Sequence, residues 1–187
     1  MTNFNVPKKD EVSQSNSAIF DSLEKGLGFV PNLYASFAHS ETALADYLAF
    51  QNRKSTLKAK EREVINLVVS QVNECLYCLS AHTVLGKMNG FSEEQIMEIR
   101  SGAASFDSKL DALAKFVKSA TINRSKPDPK VVDNLFAAGY NKANLIDIII
   151  VIGDKMISNF LHGTTQIPVD FPVAKELQPE LAKNSKH

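Results

Sequence analysis

Two cysteines and one histidine are spaced for thiol chemistry near the middle of the chain. Cys75 and Cys78 lie three residues apart, and His82 follows four residues after Cys78. On a helix, spacings of three and four place side chains on one face. Both thiols would then lie in the first turn, where free backbone N–H groups and the helix dipole favour the thiolate, and His82 could take or return a proton. The pattern therefore indicates a reactive cysteine pair.

Such a pair has a defined redox chemistry. A thiolate that attacks a hydroperoxide becomes a sulfenic acid, and a second cysteine nearby can condense with it to a disulfide before further oxidation. An external dithiol would then complete the cycle. A carboxylate would orient the histidine, and Glu63 is the preferred candidate because it begins a predicted central helix that leads into the cysteine helix. Glu61 and Glu74 compete for this role on sequence grounds alone.

Two other interpretations of the cysteines stay open. The CxxC sequence followed by His is half of a zinc site, to which His39 or His162 could add a ligand, but the chain has no second CxxC. Both cysteines could instead be small buried hydrophobic residues, as free cysteines usually are. Asn159 and His162 could line the same pocket, although a histidine near a helix end often only binds the last carbonyls.

The elements that must position these residues are predicted to be helices throughout. Apolar residues recur at spacings of three and four, and Gly and Pro separate the segments. Ser15 or Asn16 is expected to cap the first helix, Ser92 to open a capping box, and Asn141 to cap a last long helix. The prolines at 127 and 129 are expected to interrupt the chain. The predicted helices cover 15–25, 31–39, 41–52, 58–72, 75–88, 92–102, 107–123, 131–138 and a last segment from 141.

The run 148–152 in the last helix is apolar on all sides. A helix of this kind needs apolar neighbours all round, supplied by the core of the protein or by another subunit. The run is too short to span a bilayer, and the N-terminal residues contain no apolar segment typical of a signal peptide. We therefore expect a cytoplasmic protein without a membrane partner.

Composition and charge favour a single globular domain over residues 1–187. The chain has 44% hydrophobic and 22% charged residues, which is close to the average of globular proteins. Its 21 basic and 21 acidic residues balance, so no excess charge favours nucleic acid as a partner. The core is expected over about 15–172, with residues 1–14 and 173–187 as loop or disordered tails.

Glu63 lies twelve residues before the sequence Cys75-x-x-Cys78-x-x-x-His82. This pattern resembles, at all four positions, the active site of the alkylhydroperoxidase D-like (AhpD-like) branch of the carboxymuconolactone decarboxylase family. Further segments are similar to peroxidase-related members of that family, and the resemblance covers about residues 20–172. These segments are GFVPNL at 28–33, the entry to the central helix at 57–63, NFLH at 159–162 and IPVDFP at 167–172.

The resemblance implies an all-α, AhpD-like fold that assembles into homotrimers or homohexamers. It also implies a thiol-dependent peroxidase or disulfide reductase in which Cys78 attacks the hydroperoxide, Cys75 resolves the oxidised form, and His82 and Glu63 form a proton relay. No metal, haem or nucleotide cofactor is needed for that chemistry. The implied partners are a hydroperoxide substrate and an external dithiol reductant, which is a lipoyl-carrying protein in the best-understood members.

Tyr77 departs from the pattern, since the founding members carry a second histidine between the cysteines. Its phenol could still donate a hydrogen bond, so Tyr77 joins Asn159 and His162 as a candidate pocket residue. Two alternative functions stay open. Decarboxylation of a lactone acid needs a general acid and an anion site rather than two thiols. A non-catalytic helical oligomer could instead respond to oxidation of its cysteines or bind a metal.

Overall fold

The computed structural model describes residues 4–177, which form nine α-helices and no strand. This confirms the all-α prediction. A short 3-10 helix, Lys9–Glu11, precedes the α-helices. Their bounds are α1 Gln14–Leu27, α2 Asn32–Phe37, α3 Ala43–Gln51, α4 Ala59–Val72, α5 Leu76–Met88, α6 Glu93–Ser101, α7 Ser108–Ile122, α8 Pro129–Ala137 and α9 Lys142–Thr165.

The described residues fall into two compact units. The larger unit comprises residues 55–159 and 171–177, and the smaller one comprises 4–54 and 160–170. In the larger unit, α4 is the central helix and packs against α5, α6 and α7. Its residues Val64, Ile65, Leu67 and Val68 are fully buried because they face neighbours on several sides. The predicted central helix is therefore confirmed.

The apolar run 148–152 of α9 does not have apolar neighbours on all sides within the described chain. Ile148 and Val151 are buried in the core that surrounds α4. Ile149 is 52% exposed, and Ile146, about one turn earlier, is 58% exposed. The core therefore covers one face of this helix, and the opposite face is exposed to solvent. No helix in the described part of the chain has the length and hydrophobicity needed to cross a membrane.

The smaller unit has its own core, formed by Phe20 with residues of α2 and α3. Asn16 is fully buried, and its side-chain amide donates to the carbonyls of Ala38 and Ser40 over 3.2 and 3.0 Å. At the far end of the chain, the Asp170 carboxylate accepts the backbone N–H of Asn32 over 2.6 Å. These bonds pair the side-chain N–H groups of Asn16 and the backbone N–H of Asn32.

Several helix ends differ from the sequence prediction by one or two residues. Ser13, rather than Ser15 or Asn16, caps α1, since its hydroxyl accepts the Asn16 N–H over 3.3 Å. Pro129 does not interrupt the chain but begins α8, because the Asp128 side chain caps that helix and a proline at the first position needs no hydrogen-bonded N–H. The predicted capping box at Ser92 is confirmed.

The predicted tails are partly described. The segment 4–14 contains the 3-10 helix, so it is not entirely loop. Residues 173–177 have no regular secondary structure, yet Ala174 is buried and its N–H donates to the Ser80 hydroxyl over 3.0 Å. The prediction for residues 1–3 and 178–187 lies outside the described residues.

Candidate active site

The turn between α4 and α5 positions the two cysteines. Glu74 follows the end of α4 and adopts a left-handed backbone conformation with φ of 53°. The Cys75 N–H then donates to the Ser70 carbonyl over 2.9 Å. Cys75 is the N-cap of α5 and Cys78 is the third residue of the helix. Only Cys78 therefore lies in the first turn of α5. The sequence predicted both thiols there, but the connection between α4 and α5 holds Cys75 in an extended conformation.

Both cysteines are buried free thiols, with exposures of 3% for Cys75 and 2% for Cys78. A hydrogen bond joins the two side chains. This bond, together with burial and the charge of Cys78, raises the pKa of Cys75 above its ordinary value. The same bond lowers the pKa of Cys78. Cys78 is therefore the thiol that ionises first, and Cys75 keeps its proton as the hydrogen-bond donor.

Three further groups stabilise the thiolate of Cys78. The charges of Lys155 and His82 and a hydrogen bond with Ser158 lower the pKa of Cys78. The hydrogen bond with Cys75 lowers this pKa more than any of these three groups, whereas burial raises it. The Ser158 hydroxyl accepts from the Cys78 Sγ atom over 3.8 Å and donates to the Lys155 carbonyl over 3.0 Å. Both α9 residues are buried. The Cys78 sulfur is therefore enclosed by polar and cationic groups from α5 and α9.

Glu63 and His82 form a buried pair beside the cysteines. The His82 Nδ1 atom lies 2.8 Å from the Glu63 Oε2 atom, and the two side chains are each about one tenth exposed. The Asn66 amide donates to the other Glu63 oxygen over 3.2 Å. Burial raises the pKa of Glu63, but His82, Lys155 and Asn66 outweigh that effect, so the pKa lies below its ordinary value. Glu63 is thus held as a carboxylate that orients the imidazole.

The other two carboxylates that competed for this role lie elsewhere. Glu61 accepts the Lys58 N–H over 2.7 Å at the start of α4 and pairs with Lys109 over 3.3 Å. Glu74 is exposed to solvent. Of these three glutamates, Glu63 is the one for which the structure records a contact with the histidine.

Asn159 joins a chain of polar side chains next to the cysteine turn. Its amide donates to the Ser70 hydroxyl over 3.4 Å, and its carbonyl accepts the Asn73 amide over 2.9 Å. Ser70 in turn holds the Cys75 backbone. Asn159 therefore supports the turn between α4 and α5. His162 is also buried, but it belongs to the smaller unit, whereas the cysteines lie in the larger one.

Tyr77, between the two cysteines, is 2% exposed. Its ring packs edge-on against Phe171 with the centroids 5.7 Å apart. The segment that carries Phe171 also binds α5 through the Ala174 N–H and the Ser80 hydroxyl. Tyr77 therefore anchors the first turn of α5 against the C-terminal segment 171–177.

The structure gives no metal cluster that would include the cysteines. Among residues 4–177, no three His, Cys, Asp or Glu side chains are arranged to hold one metal ion. The Nε2 atom of His39, one candidate fourth ligand, contacts the Asn5 carbonyl over 2.9 Å in the smaller unit.

Sequence reasoning missed Lys155, Ser158 and Asn66. Asn66 follows Glu63 by three residues, so helical spacing could have found it. Lys155 is a charged residue three positions after the apolar run 148–152, which is a signal of a buried partner. The sequence could not reveal that this partner site contains Cys78, because the two residues are brought together only by helix packing.

The comparisons with known proteins agree with this fold. Residues 37–118 match the model of the Carboxymuconolactone decarboxylase family. No curated protein matches the chain significantly. Solved structures match over nearly the whole chain. A peroxidase-related protein from Silicibacter sp. TM1040 has a TM-score of 0.77 at 22% identity, and the alignment covers 96% of this chain and 95% of that one.

Two further solved structures have the same fold. The AhpD core of a peroxidase-related protein from Ralstonia eutropha JMP134 has a TM-score of 0.77 at 18% identity, with 99% of this chain and 96% of that chain covered. The debrominase Bmp8 has a TM-score of 0.73 at 14% identity, with 98% and 96% covered. Residues 37–118 thus match the carboxymuconolactone decarboxylase family, and the chain has the AhpD-like fold.

Proposed function

We propose that the protein is a thiol-dependent peroxidase that reduces organic hydroperoxides through a disulfide between Cys75 and Cys78. One observation carries this proposal. The buried, hydrogen-bonded thiol pair shares a site with the Glu63–His82 pair, so a nucleophile, a resolving thiol and a proton carrier lie together. The names of the peroxidase-related neighbours also support it.

The first half of the reaction oxidises Cys78. Its thiolate attacks the terminal oxygen of the hydroperoxide, the O–O bond breaks, and an alkoxide leaves. The imidazolium of His82 gives its proton to this alkoxide, so an alcohol and the Cys78 sulfenic acid are formed. Because Glu63 accepts from Nδ1, the Nε2 side of the ring is the one available for this transfer.

The second half of the reaction forms the disulfide and regenerates the thiols. The Cys75 sulfur attacks the sulfenic acid, its proton leaves with the hydroxyl group as water, and an S–S bond forms. An external dithiol then reduces the bond by thiol–disulfide exchange and is itself oxidised to a disulfide. A lipoyl-carrying protein is the proposed reductant. In sum, two thiols and one hydroperoxide give one disulfide, one alcohol and one water.

We also propose that the chain forms a homotrimer or homohexamer. Ile146, Ile149 and Ile157 are 58%, 52% and 45% exposed, and their spacing places them on one face of α9. Gly153 lies on the same face, and a side chain there would meet open space. An exposed apolar stripe of this kind is typical of a surface that another subunit covers.

The direct test titrates the reduced protein with tert-butyl hydroperoxide and counts the thiols lost per peroxide by mass spectrometry. We expect loss of two thiols in the wild type, no rapid loss in Cys78→Ser, and a trapped sulfenic acid in Cys75→Ser. His82→Ala and Glu63→Gln should react more slowly. Dihydrolipoamide should support repeated turnover. Inert thiols, or one oxidation without turnover, would contradict the proposal.

Two comparison substrates test other chemistries on the same protein. A lactone acid that is decarboxylated equally well by wild type and Cys78→Ser would favour the decarboxylase alternative, because that reaction needs no thiol pair. The debrominase Bmp8, which also has been solved in complex with 2,3,4-tribromopyrrole, shares the fold. Release of bromide from this compound without any reaction with hydroperoxide would therefore count against the peroxidase.

A further inference from the structure

Lys155 is a lysine buried in the middle of α9. Only 3% of its surface is exposed, although lysine is among the residues least often buried. Burial of an ammonium group is costly unless opposite charges lie close to it. The fold therefore has to supply anionic partners for Lys155.

Lys155 interacts electrostatically with acidic groups of the candidate active site, and the preceding residue, Asp154, is buried as well. The charge of Lys155 acts on the Glu63 carboxylate of α4 and on both cysteine sulfurs of α5. Ser158, one turn later on α9, lies 3.8 Å from the Cys78 sulfur, which fixes the face of α9 that meets the cysteines. Lys155 thus stands on the side of α9 that faces the reactive thiol.

Lys155 balances the charges of Glu63, Cys78 and His82. Glu63 and the Cys78 thiolate are two anions, and His82 alone could neutralise one of them. Once Cys78 is a sulfenic acid and His82 has given its proton to the alkoxide, both are neutral, and Lys155 still balances Glu63. A fixed cation is therefore needed so that the site stays balanced while His82 changes its protonation state.

We propose that Lys155 is a positioning residue that holds the Cys78 sulfur as a thiolate and so leaves His82 free to carry the proton. The role in proton transfer rests on the proposed peroxidase function. The electrostatic part of the inference, the effect of the lysine on the sulfur, is measured without any hydroperoxide. Failure of the inference and failure of the proposed function are therefore distinguishable.

The test measures the thiolate of Cys78 directly in the Cys75→Ser background, where one thiol remains. Thiolate absorbance near 240 nm and the rate of alkylation by the neutral reagent iodoacetamide are followed against pH. We expect Lys155→Met to move the titration of Cys78 to higher pH. A move of one pH unit lowers the alkylation rate about tenfold at a pH below the titration midpoint. Lys155→Arg should restore part of the effect.

Lys118→Met is the matched control. Lys118 is also partly buried in the larger unit, and its ammonium donates to the Ser101 carbonyl over 3.1 Å, away from the cysteines. This variant should leave the titration of Cys78 unchanged. If Lys155→Met fails to fold, the double variant Glu63→Gln/Lys155→Met removes both charges together, which buried pairs tolerate better than the loss of one partner.

The outcomes separate the two claims. An unchanged Cys78 titration in Lys155→Met, or in the double variant compared with Glu63→Gln alone, would overturn the inference and leave the peroxidase proposal intact. A shifted Cys78 titration in Lys155→Met, together with a wild-type protein that does not react with hydroperoxide, would support the electrostatic role and contradict the function. A shift together with slower peroxide reduction supports both.

Discussion

Replacement of Glu63 by glutamine is predicted to destabilise the protein in a pH-dependent way. The substitution keeps the shape of the side chain but removes a buried negative charge that pairs with His82 over 2.8 Å and also faces Lys155. Breaking a buried pair by removing one partner costs about 3–5 kcal/mol, because the remaining charge is uncompensated. The glutamine can still accept one hydrogen bond, so we expect a loss of about 3 kcal/mol at pH 7.

The pH dependence follows from the direction of the pKa shift. Burial raises the pKa of Glu63, but His82 and Lys155 outweigh it, and the pKa in the folded protein lies below the ordinary value of 4.5. Its contribution to stability is therefore fully present above pH 4.5. It is lost as the pH falls through the folded-state pKa, because the unfolded state then binds the proton first. The difference between wild type and Glu63→Gln should shrink accordingly.

Urea unfolding followed by circular dichroism measures this difference. The free energies of unfolding are compared at pH 7 and at steps down to about pH 3, at fixed protein concentration because assembly would change the apparent stability. Glu74→Gln is the matched control, since Glu74 is exposed and should show no such difference. A Glu63→Gln protein as stable as the wild type at pH 7, or a loss that is the same at both ends of the pH range, would refute the reasoning.

Three other substitutions test separate parts of the structure. Phe171→Ala removes the edge-on ring contact with Tyr77, which is worth about 0.5–1.5 kcal/mol beyond its buried area, and hydrogen exchange should become faster in the first turn of α5. Protection that stays unchanged there would show that the segment 171–177 does not stabilise α5. Ser92→Ala removes the N-cap of α6 and should lower the free energy of unfolding by about 1 kcal/mol, with no change in the rate of thiol alkylation. An altered alkylation rate would mean that α6 and the cysteines are coupled. Ile149→Glu places a charge on the exposed face of α9 and should shift the protein towards monomer in light scattering, whereas an unchanged mass would exclude that face as the subunit interface.

The sequence predicted the helices well where side chains signal their ends. Ser92 and Gly102 mark α6 by a capping box and a left-handed glycine, and both act as predicted. The errors are local. Pro129 was expected to interrupt the chain but begins α8, because the choice between the two depended on whether Asp128 would cap the helix. The sequence carried this signal, since Asp128 followed by Pro129 is the order of an N-cap residue and a proline at the first helical position.

For the candidate site, the sequence indicates only contacts between residues that are close along the chain. The cysteines and His82 lie within eight residues, and Glu63 contacts the histidine because α4 and α5 pack together. The contributions of Lys155 and Ser158 depend on the packing of α9 against α5, about 80 residues along the chain. The exposure of Ile149 within an apolar run was also hidden, since the sequence does not tell which face of such a helix the core covers.

The intact mass of the wild-type protein after one equivalent of cumene hydroperoxide tests the central claim most directly. Formation of the Cys75–Cys78 disulfide removes two hydrogen atoms, so the mass should fall by about 2 Da with no oxygen retained. Digestion without reduction should then yield a peptide that contains both linked cysteines. An unchanged mass with two free thiols, or a stable gain of oxygen on Cys78 with Cys75 still reduced, would contradict the account.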